Sequence, residues 1–289
     1  MPSTVLVTGA TGFIGRHLIP ALRAAGWIVR THSQRDGHIA SCPLEFDGIH
    51  HVVHLAAKTF VPESWKTPAV FYETNVLGTV NVLEFCRRTR ASLTFLSSYV
   101  YGHPRSLPIA EDHPLHAFNP YGHSKILAEK IVRYYAATFE VAAAIVRPFN
   151  VFGGGQSEEF LIPKVVRQVL DPTVEVVTVH DLRPRRDYLH VDDLVALLMA
   201  TMATGAEGTF NAGSGRSASV GEIIAAVERV AGIDKPIHCT GQVRPDEVLD
   251  VIADVSRAER ELRWRPKVSL EEGLARTISS MRKELAGPS

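Results

Sequence analysis

The sequence predicts an α/β fold: a doubly wound parallel sheet with helices on both faces and a smaller C-terminal region over its carboxyl edge. Three observations carry this. Short β-branched runs alternate with helical patterns over the first 150 residues, glycine-rich sequence directly follows the first run, and the alternation loosens after Phe149. Strands that alternate with helices imply right-handed crossovers, and these build a parallel sheet covered on both faces.

The elements follow in order. "TVLV" (4–7) is a strand that runs into glycines, and a helical pattern spans Phe13 to Ala25 until Gly26 stops it. "WIVRTH" (27–32) and "HHVVHLAA" (50–57) read as strands, "PAVFYETNVLGTVNVLEFCRRT" (68–89) as a helix, and "LTFLSS" (93–98) as a strand. A helix is expected from about Pro120 to Phe139, then the strand "AAAIVRPFN" (142–150). "GGGQSEEF" (153–160) is a loop, and short elements lead to a last helix near Leu270–Leu285. No repeat or long linker interrupts the chain.

Composition narrows the function. The 289 residues are 45% hydrophobic and carry no net formal charge, so a full core is available and nothing favours nucleic acid or an anionic membrane as partner. Cys42, Cys86 and Cys239 are far apart and form no paired motif, which suits reduced thiols. The N-terminus enters a strand with no basic stretch before it, and no apolar run approaches the roughly 20 residues of a membrane helix. The expected compartment is the cytoplasm.

"TGATGFIG" places Gly9, Gly12 and Gly15 between the first strand and the first helix. That spacing supplies a tight turn, close approach of backbone amides to a pyrophosphate, and close helix–sheet contact. Thr11, Phe13 and Ile14 lie in the same turn. The loop predicts a dinucleotide and a Rossmann-type core over residues 1–150. Residues 151–289 are expected to be mainly substrate-binding, with elements from about 174–215 returning partly to the core. NAD enzymes end the second strand with an acid for the ribose hydroxyls. Here that place holds Ser33, with Arg35 beside it, and guanidinium suits a 2′-phosphate. NADP(H) is favoured; NAD(H) stays open because Asp36 could reach the strand end.

"YGHSK" (121–125) puts Tyr121 and Lys125 one helical turn apart on one face. A cation there favours the phenolate and predicts a lowered tyrosine pKa. Of the thirteen histidines, "HHVVH" (50–54) sets His50 and His54 on one strand face and His51 on the other, so no catalytic metal is expected.

The glycine loop, "HLAA", "NVLGT", "LSSYVYG", "YGHSK" and "RPFNVFG", in this order, resemble the extended short-chain dehydrogenase/reductase family, and "RRDYLHVDDL" (185–194), "NAGSG" (211–215) and "DVSRAERELRWRPKVSLEEGL" (254–274) extend the resemblance over nearly the whole chain. Many members are nucleotide-sugar epimerases, dehydratases and reductases. The resemblance implies that Tyr121 is the general acid/base and that Lys125 holds the nicotinamide ribose. A serine orients the carbonyl: Ser98 by counting forward from the strand, with Ser97 in reserve. Leu55, Ala56, Ala57 and Lys58 would flank the dinucleotide, Asn75 would support the lysine, and Pro148 would line the nicotinamide. Tyr99, Asn150, Arg186 and Arg244 would meet the nucleotide sugar, and His190 would stand in the pocket wall. A homodimer through the helices at 68–89 and 120–139 is also implied.

Dehydration is disfavoured, because "SSYVYG" lacks the acidic pair that drives loss of water in related 4,6-dehydratases. "AAKTFVPESW" (56–65) and "RPDEV" (244–248) look like GDP-4-keto-6-deoxymannose reductases, although much of the chain looks equally like UDP-glucose 4-epimerases. The missing acid near Ser33 tilts the reading toward reduction of a 4-keto (6-deoxy)hexose. A non-catalytic NADP-binding sensor is disfavoured because serine, tyrosine and lysine are all present.

Overall fold

The computed structural model describes residues 3–242 and 247–286. The first half runs β1 (Thr4–Thr8), α1 (Phe13–Ala24), β2 (Ile28–His32), β3 (His51–His54), α2 (Val61–Lys66), α3 (Pro68–Tyr72), a π-helical turn (Glu73–Leu77), α4 (Gly78–Thr89), β4 (Ser92–Leu96), α5 (Pro120–Phe139) and β5 (Ala143–Pro148). The second half adds β6 (Asn150–Phe152), α6 (Leu161–Leu170), β7 (Val177–Val179), β8 (Arg185–His190), α7 (Val191–Thr204), β9 (Gly208–Ala212), β10 (Ser217–Ser219), α8 (Val220–Ala231), β11 (Ile237–Cys239), α9 (Ser256–Leu262) and α10 (Leu270–Leu285).

Six strands form one parallel sheet in the order β2-β1-β3-β4-β5-β9. From β1 the chain steps outward to β2 and then returns to the other side of β1 as β3. The carboxyl ends of β1 and β3 therefore flank a topological switch point, the usual crevice for a ligand in such sheets. Apolar residues of α1 and α7, among them Leu18, Leu22, Leu194 and Leu198, cover one face. Val82, Leu83 and Phe85 of α4 with Ala128 and Val132 of α5 cover the other. The helix read as 68–89 is one helical run with a π turn in its middle, and the strands read as 50–57 and 93–98 end at His54 and Leu96. Residues 33–50 cross from β2 to β3 without a helix or strand. Ile39, Leu44 and Ile49 anchor this crossing in the core, and the Asn81 side chain donates to the carbonyls of Ile39 and Cys42 at 2.8 Å each.

α5 starts sharply because Asn119 caps it. The Asn119 side chain accepts from Gly122 N at 2.8 Å, and Pro120 supplies the fixed φ of a first turn. The C-terminal elements gather around a third apolar cluster from α6, α8 and α10. Two buried carboxylates fasten them. Asp187 accepts from the amides of Ser214, Gly215 and Ala253 at 2.6, 3.0 and 3.0 Å, and Asp193 accepts from Lys267 and Val268 at 2.9 Å each. Among the described residues no helix is long and apolar enough to cross a membrane.

Candidate active site

The glycine loop sits at the switch point, and steric contact explains its glycines. Gly9 has φ +71°, and a Cβ there would lie 2.7 Å from the backbone nitrogen of Ala56. At Gly15 a Cβ would meet the carbonyl oxygen of Gly9 at 2.6 Å. These two positions bring the ends of β1 and β3 and the start of α1 into backbone contact. Gly12 is the N-cap of α1, with no side-chain hydrogen bond and no acid in the first turn. A helix end of that kind offers amides and positive potential to an anion, so the cradle fits a dinucleotide pyrophosphate. Thr11 is exposed and Phe13 and Ile14 are half-buried in the same turn.

Leu55, Ala56, Ala57 and Lys58 continue from β3 on the opposite wall, all half-buried. His54 braces this wall from below. Its Nδ1 lies 2.7 Å from Thr8 Oγ1 and its Nε2 3.2 Å from Thr79 Oγ1, which donates to the Asn75 carbonyl at 2.6 Å. Burial pushes the His54 pKa down to about 3, so the ring is neutral. The Asn75 side chain joins Lys58 and α5: Oδ1 accepts from Lys58 N at 2.8 Å, and Nδ2 donates to Ser124 Oγ at 2.9 Å. Asn75 thus reaches α5 through Ser124 rather than through Lys125.

Ser98, Tyr121 and Lys125 meet at the carboxyl edge of β4. Lys125 is buried, with Nζ 2.6 Å from the Leu96 carbonyl and 4.2 Å from the centre of the Phe95 ring. Burial lowers its pKa to about 7, opposed by the charge of Glu129. The Ser98 hydroxyl is buried with no partner at full hydrogen-bonding geometry, yet it approaches Tyr121 closely enough to lower the pKa of the phenol. Burial outweighs that approach. The Tyr121 pKa is raised, contrary to the lowering that the Tyr–Lys spacing predicts, because desolvation of a phenolate dominates and Lys125 has turned to Leu96. Ser97 is already engaged, donating to Glu129 at 2.6 Å. Pro148 is buried at the end of β5, beside this group.

At the adenosine end, Ser33 is buried and its amide and hydroxyl both donate to Asp36 Oδ2, at 2.8 and 2.9 Å. Asp36 therefore does curl back to the strand end, and its pKa is lowered chiefly by those bonds. Arg35 is exposed.

The substrate side differs more from expectation. Arg186 is committed: Nη1 donates to the carbonyls of Arg185 and Val248 at 2.8 and 2.6 Å, and Nη2 pairs with Glu247. A diphosphate would have to compete with that carboxylate. Arg244 lies outside the described residues. The Tyr99 hydroxyl donates to the Gly102 carbonyl at 2.5 Å, its ring packs on Tyr101 and Phe149, and its pKa, raised by burial, is drawn down by Arg186. Asn150 reaches the Asp187 carbonyl only at 3.5 Å. His190 is not in this wall. It is packed against Phe152 with Gly153 and Gly273 around it, under α10. The neighbouring histidines also go separate ways: His50 accepts from Thr4 N, while His51 bonds Ser92 and Thr94. Among the described residues no cluster of three or more metal-ligating side chains is present. The largest omission of the sequence reading is Glu129, although a carboxylate four residues beyond Lys125 shares its helix face.

A glycine cradle at a β1/β3 switch point, with serine, tyrosine and lysine along the same edge, is the arrangement of a Rossmann-type enzyme of the extended short-chain dehydrogenase/reductase class. Comparison with known proteins agrees. Residues 5–213 match the model of the NAD dependent epimerase/dehydratase family. A UDP-glucose 4-epimerase of Azospirillum brasilense is 32% identical over 97% of this chain and 92% of its own. A GDP-6-deoxy-D-mannose reductase of Pseudomonas aeruginosa is 30% identical over 96% of this chain and 97% of its own. The structure of RMD from Pseudomonas aeruginosa complexed with NADPH superposes with a TM-score of 0.89 at 28% identity, covering 97% of this chain and 100% of that one. The chain belongs to the NAD-dependent epimerase/dehydratase family, an enzyme family that works with a nicotinamide dinucleotide.

Proposed function

We propose that the protein reduces a nucleotide-linked 4-keto (6-deoxy)hexose with NADPH. One observation supports the direction: Arg35 is exposed beside the end of β2, where a guanidinium suits the 2′-phosphate of an exchangeable NADPH. The Tyr121 phenol is protonated at neutral pH and can give that proton to a carbonyl oxygen. A reduced dinucleotide held on the glycine loop of Gly9, Gly12 and Gly15 would supply the hydride for the carbonyl carbon. Ser98 holds the carbonyl oxygen, its hydroxyl being the one not engaged by Glu129. Tyr121 delivers its proton to that oxygen as the alkoxide forms, giving the alcohol. Lys125, here on the Leu96 carbonyl, would hold the nicotinamide ribose and stabilise the phenolate left behind. Tyr99, Asn150 and Arg186 would meet the nucleotide sugar, with Glu247 giving up Arg186 to the diphosphate; for Arg244 the family resemblance alone supports the same role. At the other end, exposed Arg35 favours a 2′-phosphate, in line with the NADPH in RMD from Pseudomonas aeruginosa.

A 4-epimerase with retained NAD is the second reading. Asp36 favours it, since its carboxylate at Ser33 could accept from the ribose hydroxyls, and so does the likeness to UDP-glucose 4-epimerases. Mass spectrometry of dinucleotide released from purified protein, with NADPH and NADH titrated into the empty form, separates the two. Empty protein that prefers NADPH and consumes it on a GDP-4-keto-6-deoxyhexose is the expected result; tightly retained NAD overturns it. The same reading includes a cytoplasmic homodimer. Leu77 on the π turn and Tyr134 on α5 are 55% and 59% exposed apolar side chains on the two helices expected to pair, and gel filtration at the mass of one chain would exclude it.

A further inference from the structure

Glu129 is fully buried on α5, one turn beyond Lys125. Arg147 on β5 grips its carboxylate with two bonds, Nε at 2.9 Å and Nη2 at 2.6 Å. Ser97 donates to it at 2.6 Å and Arg133 at 2.9 Å. Arg147 continues outward, giving Nη1 to the Tyr101 hydroxyl at 3.0 Å and to the Glu111 carbonyl at 2.9 Å. Tyr101 donates to Asn211 on β9, whose amide reaches the carbonyls of Ile109 and Asp254 at 2.8 and 3.2 Å.

Stability alone gives little reason for such a pair, because a well-packed apolar pair of the same volume commonly does as well or better. The bonds end somewhere informative. Ser97, Tyr101, Ile109 and Glu111 all belong to the segment between β4 and α5, the segment that carries Ser98. The Ser98 hydroxyl has no partner at full hydrogen-bonding geometry. We propose that Glu129 is a positioning residue for the reaction: through Ser97 and Arg147 it fixes the Ser98 segment against the helix that carries Tyr121 and Lys125. The proposal rests on the reading of those three as the reacting groups.

A second consequence concerns Lys125. The groups that face it are the Leu96 carbonyl and the Phe95 ring on β4, neutral His54 on β3, and the Tyr121 phenol and Glu129 on its own helix. Glu129 is the one fixed negative charge among them, and it opposes the fall in lysine pKa that burial causes.

The test uses the full-length enzyme, with NADPH and a GDP-4-keto-6-deoxyhexose, or with UDP-galactose if that is the sugar turned over. Ser97→Ala removes one bond without stranding a charge. It is expected to fold normally, keep its KM, and lose about tenfold in kcat, because misplaced reacting groups are costly. Glu129→Gln with Arg147→Met removes both charges together. It is expected to lose a further factor in kcat and to move the alkaline limb of its kcat–pH profile to lower pH, since Lys125 then loses its proton sooner. Ser97→Ala with wild-type kcat overturns the proposal whether or not the double variant folds. So does a folded double variant with an unmoved alkaline limb. Tyr121→Phe runs alongside: if it retains turnover, the reading of the reacting groups has failed, and that result is distinct from a failure of Glu129.

Discussion

The glycine cradle and the Asp187 knot do comparable work by opposite means. The cradle comes from one short stretch, residues 4–15, plus the backbone of Ala56, and backbone contacts hold it closed: Gly9 against Ala56, Gly15 against Gly9. The knot comes from three segments far apart in sequence, drawn to one side chain, with Ser214, Gly215 and Ala253 all donating amides to Asp187. The first is a local backbone device with few ways to be built, so its sequence is diagnostic. The second is a meeting of distant groups, and its sequence is not.

Substitutions can test that contrast. Gly9→Val is expected to do most: it forces a β-branched residue into φ +71° and drives a Cβ into the Ala56 backbone. Strain of about 1–3 kcal/mol is expected from the dihedral alone, together with loss of measurable dinucleotide binding by calorimetry. A Gly9→Val protein that binds normally would show that the loop is not the cradle. Asp187→Ala leaves three amides unpaired, at about 1–3 kcal/mol for each group that stays dry. Urea unfolding should register that loss, while the folded fraction keeps its dinucleotide affinity. If affinity falls as well, the two regions are coupled.

A pH titration probes the core between them. Burial holds the folded-state pKa of His51 at about 4 and of His54 at about 3, against an ordinary 6.5. Below pH 6.5 the unfolded chain therefore takes up protons that the folded chain refuses. Stability should fall as pH drops from 6.5 toward 4, by about 1.4 kcal/mol per pH unit for each histidine. Urea midpoints that stay level over this window would mean that both rings take up protons inside the fold. The smallest effect belongs to Ser219→Ala. Ser219 and Glu222 form a reciprocal capping box on α8, and its loss should cost about 1 kcal/mol in thermal unfolding without touching turnover.

Legibility in the sequence follows the same division. The strand–glycine–helix start was readable, and so was α5, because Asn119, Pro120 and an unbroken helical pattern mark it locally. Of the site, "YGHSK" and the glycine loop were visible as patterns, but the partners that tune them were not. Nothing near Ser97 announces that Glu129, thirty-two residues later, takes its hydroxyl. Nothing near Arg186 announces Glu247. The raised pKa of Tyr121 escaped for a related reason, since spacing gives the distance to a charge but not the depth of burial. The π turn at Glu73–Leu77, which carries Asn75 with its bonds to Lys58 and Ser124, lay hidden inside an ordinary helical pattern.

The strand order has a consequence for biosynthesis. β5 is buried along its whole length, between β4 and β9, yet β9 is Gly208–Ala212. A nascent chain that has emerged only as far as residue 150 carries five strands in sequence with one apolar border still unpaired. Such a border is a template for intermolecular pairing. For the roughly 3 to 12 seconds that the ribosome takes to add about sixty more residues, that border stays open until β9 arrives to cover it.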